Sequence, residues 1–321
     1  MVKAFESPAV RKVKLGKSNL SVSNIALGTL PFASYRNNKN DFSALVSYAY
    51  DIGINLFDTA EIYENYELLG KSLRGLEDAI VISKSHAIDR RDVDRSLLTA
   101  RRLMNREVDI FLLHEQESAS TIRGHLDALE YMHKLKEKGD LKAIGISTHK
   151  VDGVRGALNF SEFIDVVMTI VNYAGLGIND GTRETMESAI SDCFNANIGI
   201  IGMKVLGGGH LLRIIDKAIG YIRELNFVHS FLLGVETVDE LKLDLALFNG
   251  IEIEKDLIEG CKRKIRHIEI EPWCTGCGIC VERCGQKALR LINGKVEVIT
   301  ERCVLCSYCA QVCPDFSIKV V

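Results

Sequence analysis

Several absences bound this chain of 321 residues. No stretch approaches the roughly 20 apolar residues a membrane-spanning helix needs, and the longest apolar runs are strand-sized. Residues 1–10 (MVKAFESPAV) lack the apolar core of a secretory signal, which argues against export and so against a disulfide framework. The formal net charge is only -3, with no basic excess to mark a nucleic-acid binder. No G-x-G-x-x-G follows the first apolar strand, which counts against a Rossmann domain. Cysteine is nearly missing from the first 270 positions, where only Cys193 and Cys261 occur. Both sit in helical patterns and read as buried, inert thiols.

The other eight of the 10 cysteines crowd the C-terminal tail. Cys274, Cys277, Cys280 and Cys284 form a C-x-x-C-x-x-C-x-x-x-C run, and Cys303, Cys306, Cys309 and Cys313 repeat it, with Pro314 following. Structural zinc uses pairs of C-x-x-C rather than triplets with a trailing fourth cysteine. Three thiolates from a tight loop plus one from afar suit an iron–sulfur cube. In the bacterial two-cluster pattern the fourth cysteine of each run ligates the other cluster. That assigns Cys274, Cys277, Cys280 and Cys313 to one [4Fe–4S] cluster, and Cys303, Cys306, Cys309 and Cys284 to a second. The tail resembles a dicluster ferredoxin domain, with Gly285 where the first run usually carries proline. Such clusters suit a reducing cytoplasm, so a cytoplasmic protein of a low-oxygen organism is expected, with an external electron carrier as a partner.

The rest of the chain alternates strand and helix. Residues 11–23 read as a hairpin, and an apolar strand follows at 24–29. Helices are expected at 41–52, 65–74, 91–104, 120–138, 151–158, 182–196, 213–225 and from Thr237, each after a short apolar strand. Continuous apolar strands are those of a buried parallel sheet. Eight such units imply an α/β fold, a (β/α)8 TIM barrel with an N-terminal β-hairpin, an open doubly wound sheet being the alternative. Residues 254–268 carry a further helix pattern. The expected division is a barrel at 1–253, a linking helix at 254–270 and a small α+β cluster domain at 271–321.

Chemistry in such a barrel gathers where the strands end. The second strand ends in Asp58, with Tyr63 shortly after; the third ends in Lys84 and the fourth in His114. Each alone reads as a capping, solvated or structural residue; together, on successive strands, they point to a site. With LGKSNLSVSNIALGT near the start, G145-I-S-T-H149 and G207-G-G-H-L, they make residues 10–250 resemble the aldo-keto reductase family. The resemblance implies reduction of a carbonyl or oxidation of an alcohol. Tyr63 would be the general acid, Lys84 would lower its pKa, Asp58 would hold Lys84 charged, and His114 would orient the carbonyl. It also places a nicotinamide, NADP(H) or NAD(H), against Ser147, Thr148, Asn172 and Lys204, and its phosphates at Gly234, Glu236 and Thr237. At that helix start Thr237 and Glu240 form a capping box, yet Glu236 and Asp239 are acidic where phosphate recognition prefers arginine or lysine. Met168 stands where the family has glutamine. Hydride transfer needs no cluster, so FMN in the barrel mouth, converting single electrons into pairs, is the alternative cofactor. Two further readings stay open: an electron-transfer protein whose barrel holds a flavin or serves as a docking body, and clusters that only help the tail to fold. The loop Leu30–Asn40, with Tyr35 and Arg36, would cover the mouth. No nucleic-acid or membrane partner is expected.

Overall fold

The computed structural model describes residues 10–34, 40–178, 180–253, 255–262, 266–303, 305 and 308–321. Tyr35, Arg36 and Cys306 lie outside them.

Strands β1 (Lys12–Lys14) and β2 (Ser21–Ser23) pair antiparallel as the expected hairpin. Eight strands follow: β3 (Ile25–Gly28), β4 (Leu56–Asp58), β5 (Ile80–Ser85), β6 (Ile110–Leu113), β7 (Ala143–Thr148), β8 (Val166–Ile170), β9 (Gly199–Met203) and β10 (Ser230–Leu233). They close into a barrel in sequence order, β10 pairing parallel to β3. Inward and outward side chains alternate, as the period of a strand requires. Ile80, Ile82, Ile110 and Leu112 join the interior cluster, while Val81, Phe111 and Leu113 pack outward against the helices. Leu15, Leu20 and Val22 of the hairpin also belong to the interior cluster. The hairpin therefore plugs the end where the strands begin. Gly16 (φ 50°) permits that contact, because a Cβ there would stand 2.3 Å from the Gly199 nitrogen.

The surrounding helices are α1 (Phe42–Asp51), α2 (Tyr66–Ser72), α3 (Arg90–Met104), α4 (Ala119–Gly124), α5 (Leu126–Glu137), α6 (Val151–Leu158), α7 (Arg183–Asn195), α8 (Ile215–Glu224) and α9 (Val238–Asn249). Asp41, Asp89, Thr182 and Thr237 cap them by accepting backbone N–H groups. The helix expected over 120–138 is broken at His125, whose Nδ1 meets the Thr121 carbonyl at 2.8 Å and competes with the backbone ladder. Cys193 is buried in α7, its thiol donating to the Val154 carbonyl and pushed up to about 12 by burial.

Beyond the barrel, α10 covers Lys255–Lys262. The helix pattern read over 254–268 therefore overshoots. Ile268–Ile270 is strand β11, paired antiparallel with β14 (Ile318–Val320), because the alternating IEI segment finds a partner edge at the other end of the tail. Between them lie α11 (Ile279–Arg283), the hairpin β12 (Leu289–Ile292) with β13 (Lys295–Val298), and α12 (Tyr308–Gln311). Cys274, Cys280 and Cys313 share one apolar cluster with Ile268, Leu289 and Ile318. This tail sits on the end of the barrel where the strands finish. The Val320 N–H donates to the Gly208 carbonyl at 2.9 Å. His210 Nε2 lies 2.9 Å from the Ile318 carbonyl. Phe316 packs among Leu176, Leu211 and Ala218.

Candidate active site

Parallel register sets the polar group. Asp58 ends β4 opposite Ile82, so Lys84, two residues further along β5, extends past it on the same inward face. Both are 1% exposed. Lys84 Nζ donates to Asp58 Oδ1 and, at 2.7 Å, to the Thr59 carbonyl. Burial pushes the Asp58 carboxyl up and the Lys84 ammonium down, each opposed by its partner.

Tyr63 ends a single 3-10 turn after β4, and Glu64 then turns left-handed at φ 51°. Asn65 pins that turn, its amide donating to the Thr29 carbonyl at 3.0 Å and its oxygen accepting from Thr59 Oγ1 at 2.7 Å. The Tyr63 ring is thereby held with its centroid 5.2 Å from Lys84 Nζ. His114 follows β6, its backbone N–H donating to the Ser85 carbonyl at 2.8 Å and its ring stacked on His86 at 4.8 Å. Burial first, then Lys84, His86, His149 and Lys204, hold its pKa well below the usual imidazole range, so the ring is neutral. Its Nδ1 is buried without a hydrogen-bond partner.

These four side chains line a cavity of about 740 Å³ at the barrel mouth. Ser147, Lys204, Gly234 and Glu236, assigned to the nicotinamide by resemblance, lie on its wall as well, and so does Met168. Three others are turned to local structure. Thr148 Oγ1 accepts the Lys150 N–H at 3.0 Å. Asn172 is bonded through both amide atoms to the Leu176 backbone, at 2.9 and 3.0 Å. Thr237 caps α9 by accepting the Glu240 N–H at 3.2 Å. Glu240 in turn accepts the Glu236 N–H at 2.8 Å. The helix start where a phosphate was expected is thus capped by the chain's own side chains, with Glu236, Glu240 and Asp244 on the cavity wall beside it. Burial and Glu240 raise Asp244 to about 8, and its Oδ2 is buried without a partner. Arg266 stands among these carboxyl groups, 3.4 Å from Glu240, so this end offers a phosphate little positive charge that is not already paired.

The C-terminal part of the chain also supplies wall residues, among them Cys261, Arg266, Trp273, Lys319, Val320 and Val321. Cys261 is accordingly not buried as expected; it is partly exposed on α10. Sequence reasoning missed Trp273 and Lys319. Trp273 carries a signal in hindsight, being the single tryptophan of the chain and preceding Cys274 directly. Lys319 carries none, since only the return of β14 to the barrel brings it there.

The cysteines fit iron–sulfur ligation in one informative respect. Burial raises the Cys280 thiol to about 11, and the further contributors are Cys313, Cys274 and Cys277. Cys280 thus lies near the other three, although 33 positions separate it from Cys313. Among the described residues no three such groups close on one ion, which is the geometry of a mononuclear site; a four-iron cube is wider. Backbone N–H groups of Ser317 and Ala288 point at the sulfurs of Cys313 and Cys284, each at 3.3 Å. Cys284, Cys303 and Cys309 pack against the same apolar cluster.

A closed parallel barrel thus carries an ion-paired lysine, a tyrosine and a neutral histidine at its strand ends. The model of the Aldo/keto reductase family matches residues 24–248, and the chain belongs to that family. A 4Fe-4S dicluster domain matches residues 267–314. Among curated relatives, the L-galactose dehydrogenase of Arabidopsis thaliana is 30% identical over 52% of this chain and 57% of its own length. An uncharacterised oxidoreductase of Bacillus subtilis, YqkF, is 26% identical over 50% of this chain and 56% of its own. The chain thus spans little more than half of these relatives. Of solved structures, the holo form of an aldo-keto reductase from Bacillus halodurans superposes with a TM-score of 0.61 at 16% identity, covering 79% of this chain and 96% of that one. At that identity the likeness concerns the fold. No described helix is long and apolar enough to cross a membrane.

Proposed function

We propose that this oxidoreductase interconverts a carbonyl and an alcohol in the mouth cavity, with Tyr63 as the proton donor or acceptor and the C-terminal clusters as the electron path. Reduction takes up two electrons and two protons. Tyr63 gives one proton to the carbonyl oxygen, and the carbonyl carbon would take the other together with the electron pair, as a hydride from a bound two-electron mediator. The Lys84 ammonium beside the ring stabilises the negative charge left on the phenol oxygen, and Asp58 keeps that ammonium charged. His114, neutral and buried, offers one ring N–H to the same carbonyl oxygen.

The observation that carries the coupling is the roof. The tail that holds the cysteines lies over the mouth, and Trp273, on the cavity wall, directly precedes Cys274. The two clusters, held by Cys274, Cys277, Cys280 and Cys313 and by Cys303, Cys306, Cys309 and Cys284, would supply single electrons. The first of them would be the proximal one, since Trp273 on the cavity wall adjoins Cys274 and no other described residue between Trp273 and Lys319 lies on that wall. An external carrier would meet the distal cluster.

A second reading of the mediator places FMN inside the cavity, where it would pair the single electrons that the clusters pass. Anaerobic purification followed by denaturation tests this directly. Released flavin supports FMN; released nicotinamide overturns it. Tyr63→Phe tests the proton role: carbonyl turnover should fall by about 100-fold or more with unchanged cluster absorbance, and unchanged turnover would remove Tyr63 from the chemistry.

A further inference from the structure

Two lysines from distant parts of the chain both line the cavity. Lys204 follows β9 on the barrel, and Lys319 belongs to β14 of the roof. Their ammonium groups lie 5.1 and 3.6 Å from the centroid of the same ring, Phe316. Lys319 is 3% exposed, and its Nζ donates to the Phe316 carbonyl. Its stem fits because position 208 is glycine: a Cβ there would stand 2.7 Å from Lys319 Cδ. Lys204 holds a left-handed backbone at φ 59°, a conformation uncommon for a residue other than glycine, asparagine or aspartate. Such strain persists where the surroundings fix a side chain's placement, and it concentrates at working sites.

The charge of both lysines reaches into the cavity. Burial first, then Lys204, Lys319 and Lys150, hold His149 well below the imidazole range. Lys84 and Lys204 act in the same direction on His114. Lys84 has Asp58 as counter-ion. Asp58 also lies within the field of Lys204, and Glu64 and Glu115 stand on the wall as well, Glu115 half-exposed and 3.8 Å from His149. The other carboxylates, Glu236, Glu240 and Asp244, gather at the far end with Arg266. Lys204 and Lys319 thus bring positive charge to one stretch of the wall, and low-dielectric walls focus such a field on an anion.

We propose that Lys204 and Lys319 form an oxyanion site for the carboxylate of the substrate, which is then an oxo acid or the matching hydroxy acid, with its carbonyl turned to Tyr63 and His114. This rests on the oxidoreductase reading. It gives the roof a second task, because the segment that carries the cluster ligands also supplies half of the substrate's anion site.

The test is equilibrium binding to the anaerobically purified full chain, read by calorimetry. The probes are pyruvate and 4-methyl-2-oxopentanoate, the amide of each, and inorganic phosphate. At least one oxo acid should bind, with its amide weaker by about tenfold or more. Lys204→Gln and Lys319→Gln should each weaken the oxo acid by a similar factor, and Lys319→Arg should restore most of it, with cluster absorbance unchanged in all three. Equal affinity of acid and amide, or affinity untouched by both glutamine variants, overturns the proposal. Phosphate binding in place of both acids also overturns it, by assigning the lysines to a cofactor's phosphate. Tyr63→Phe should leave this binding intact. Lysine-dependent binding together with normal turnover in Tyr63→Phe would sink the proton role while leaving the anion site standing.

Discussion

Lys84 holds its ammonium 5.2 Å from the centroid of the Tyr63 ring while bonded to Asp58, in a place where neither member of the ion pair meets water. The pair is costly to bury and costly to break. Removing one partner strands the other, which typically costs about 3–5 kcal/mol. Asp58→Asn should therefore lower unfolding stability by about 3 kcal/mol and turnover by about 100-fold, because an uncompensated Lys84 gives up its proton more readily. Denaturant unfolding beside steady-state rates checks both. Loss of stability with full turnover would mean that the pair is structural.

The shared field of Cys280, Cys313, Cys274 and Cys277 makes ligand exchange between the two runs testable. Anaerobically purified chain should hold about eight irons, four for each cube. Cys280→Ser and Cys313→Ser should each damage the same cluster, leaving about four and the same residual electron paramagnetic resonance signal. Different residual signals would show that Cys313 serves the other cluster.

Much of this was legible in the sequence, for identifiable reasons. Continuous apolar strands with glycine or asparagine at helix ends fixed eight units, since a parallel strand is covered on both faces and cannot alternate. Asp58, Lys84 and His114 could be found because each sits at a strand end in the register that closes the barrel. What stayed hidden depends on distance along the chain. Asn172 reads as a ligand by position, yet its amide satisfies Leu176 four residues on, a competition no motif reveals. The strand at Ile268–Ile270 looked helical because its partner lies 50 residues away, at Ile318–Val320. Lys319 reaches the cavity only through that pairing.

The docking of the roof depends on a close approach at Gly209. Its φ is 87°, and a Cβ there would stand 2.0 Å from the Val320 carbonyl oxygen. Gly209→Ala should force β14 away from the barrel, at a cost of about 1–3 kcal/mol. The Val320 amide, which donates to Gly208 at 2.9 Å, should exchange its hydrogen faster while the barrel strands stay protected. Turnover should fall with it, because the roof completes the cavity. Unchanged exchange at Val320 would show that the contact relaxes without separation.

His210 ties the same strand through its imidazole, and that contact gives the protein an acid limit. A carbonyl only accepts, so His210 Nε2 carries the proton in its 2.9 Å bond to the Ile318 oxygen. Burial lowers the pKa of this ring to about 4, opposed by that bond and assisted by Lys319. An unfolded histidine takes up a proton near 6.5. Between those two values the unfolded chain binds more protons than the folded one, so stability must fall as pH falls through the window and level off below it. A shift of this size corresponds to about 3 kcal/mol for His210. His114 and His149, both depressed, act in the same direction. His210→Gln should keep a donor to Ile318 yet flatten the stability curve between pH 6.5 and 4 by about that amount. Denaturant midpoints across the window measure it, and curves for the two proteins that run parallel would place His210 outside the linkage.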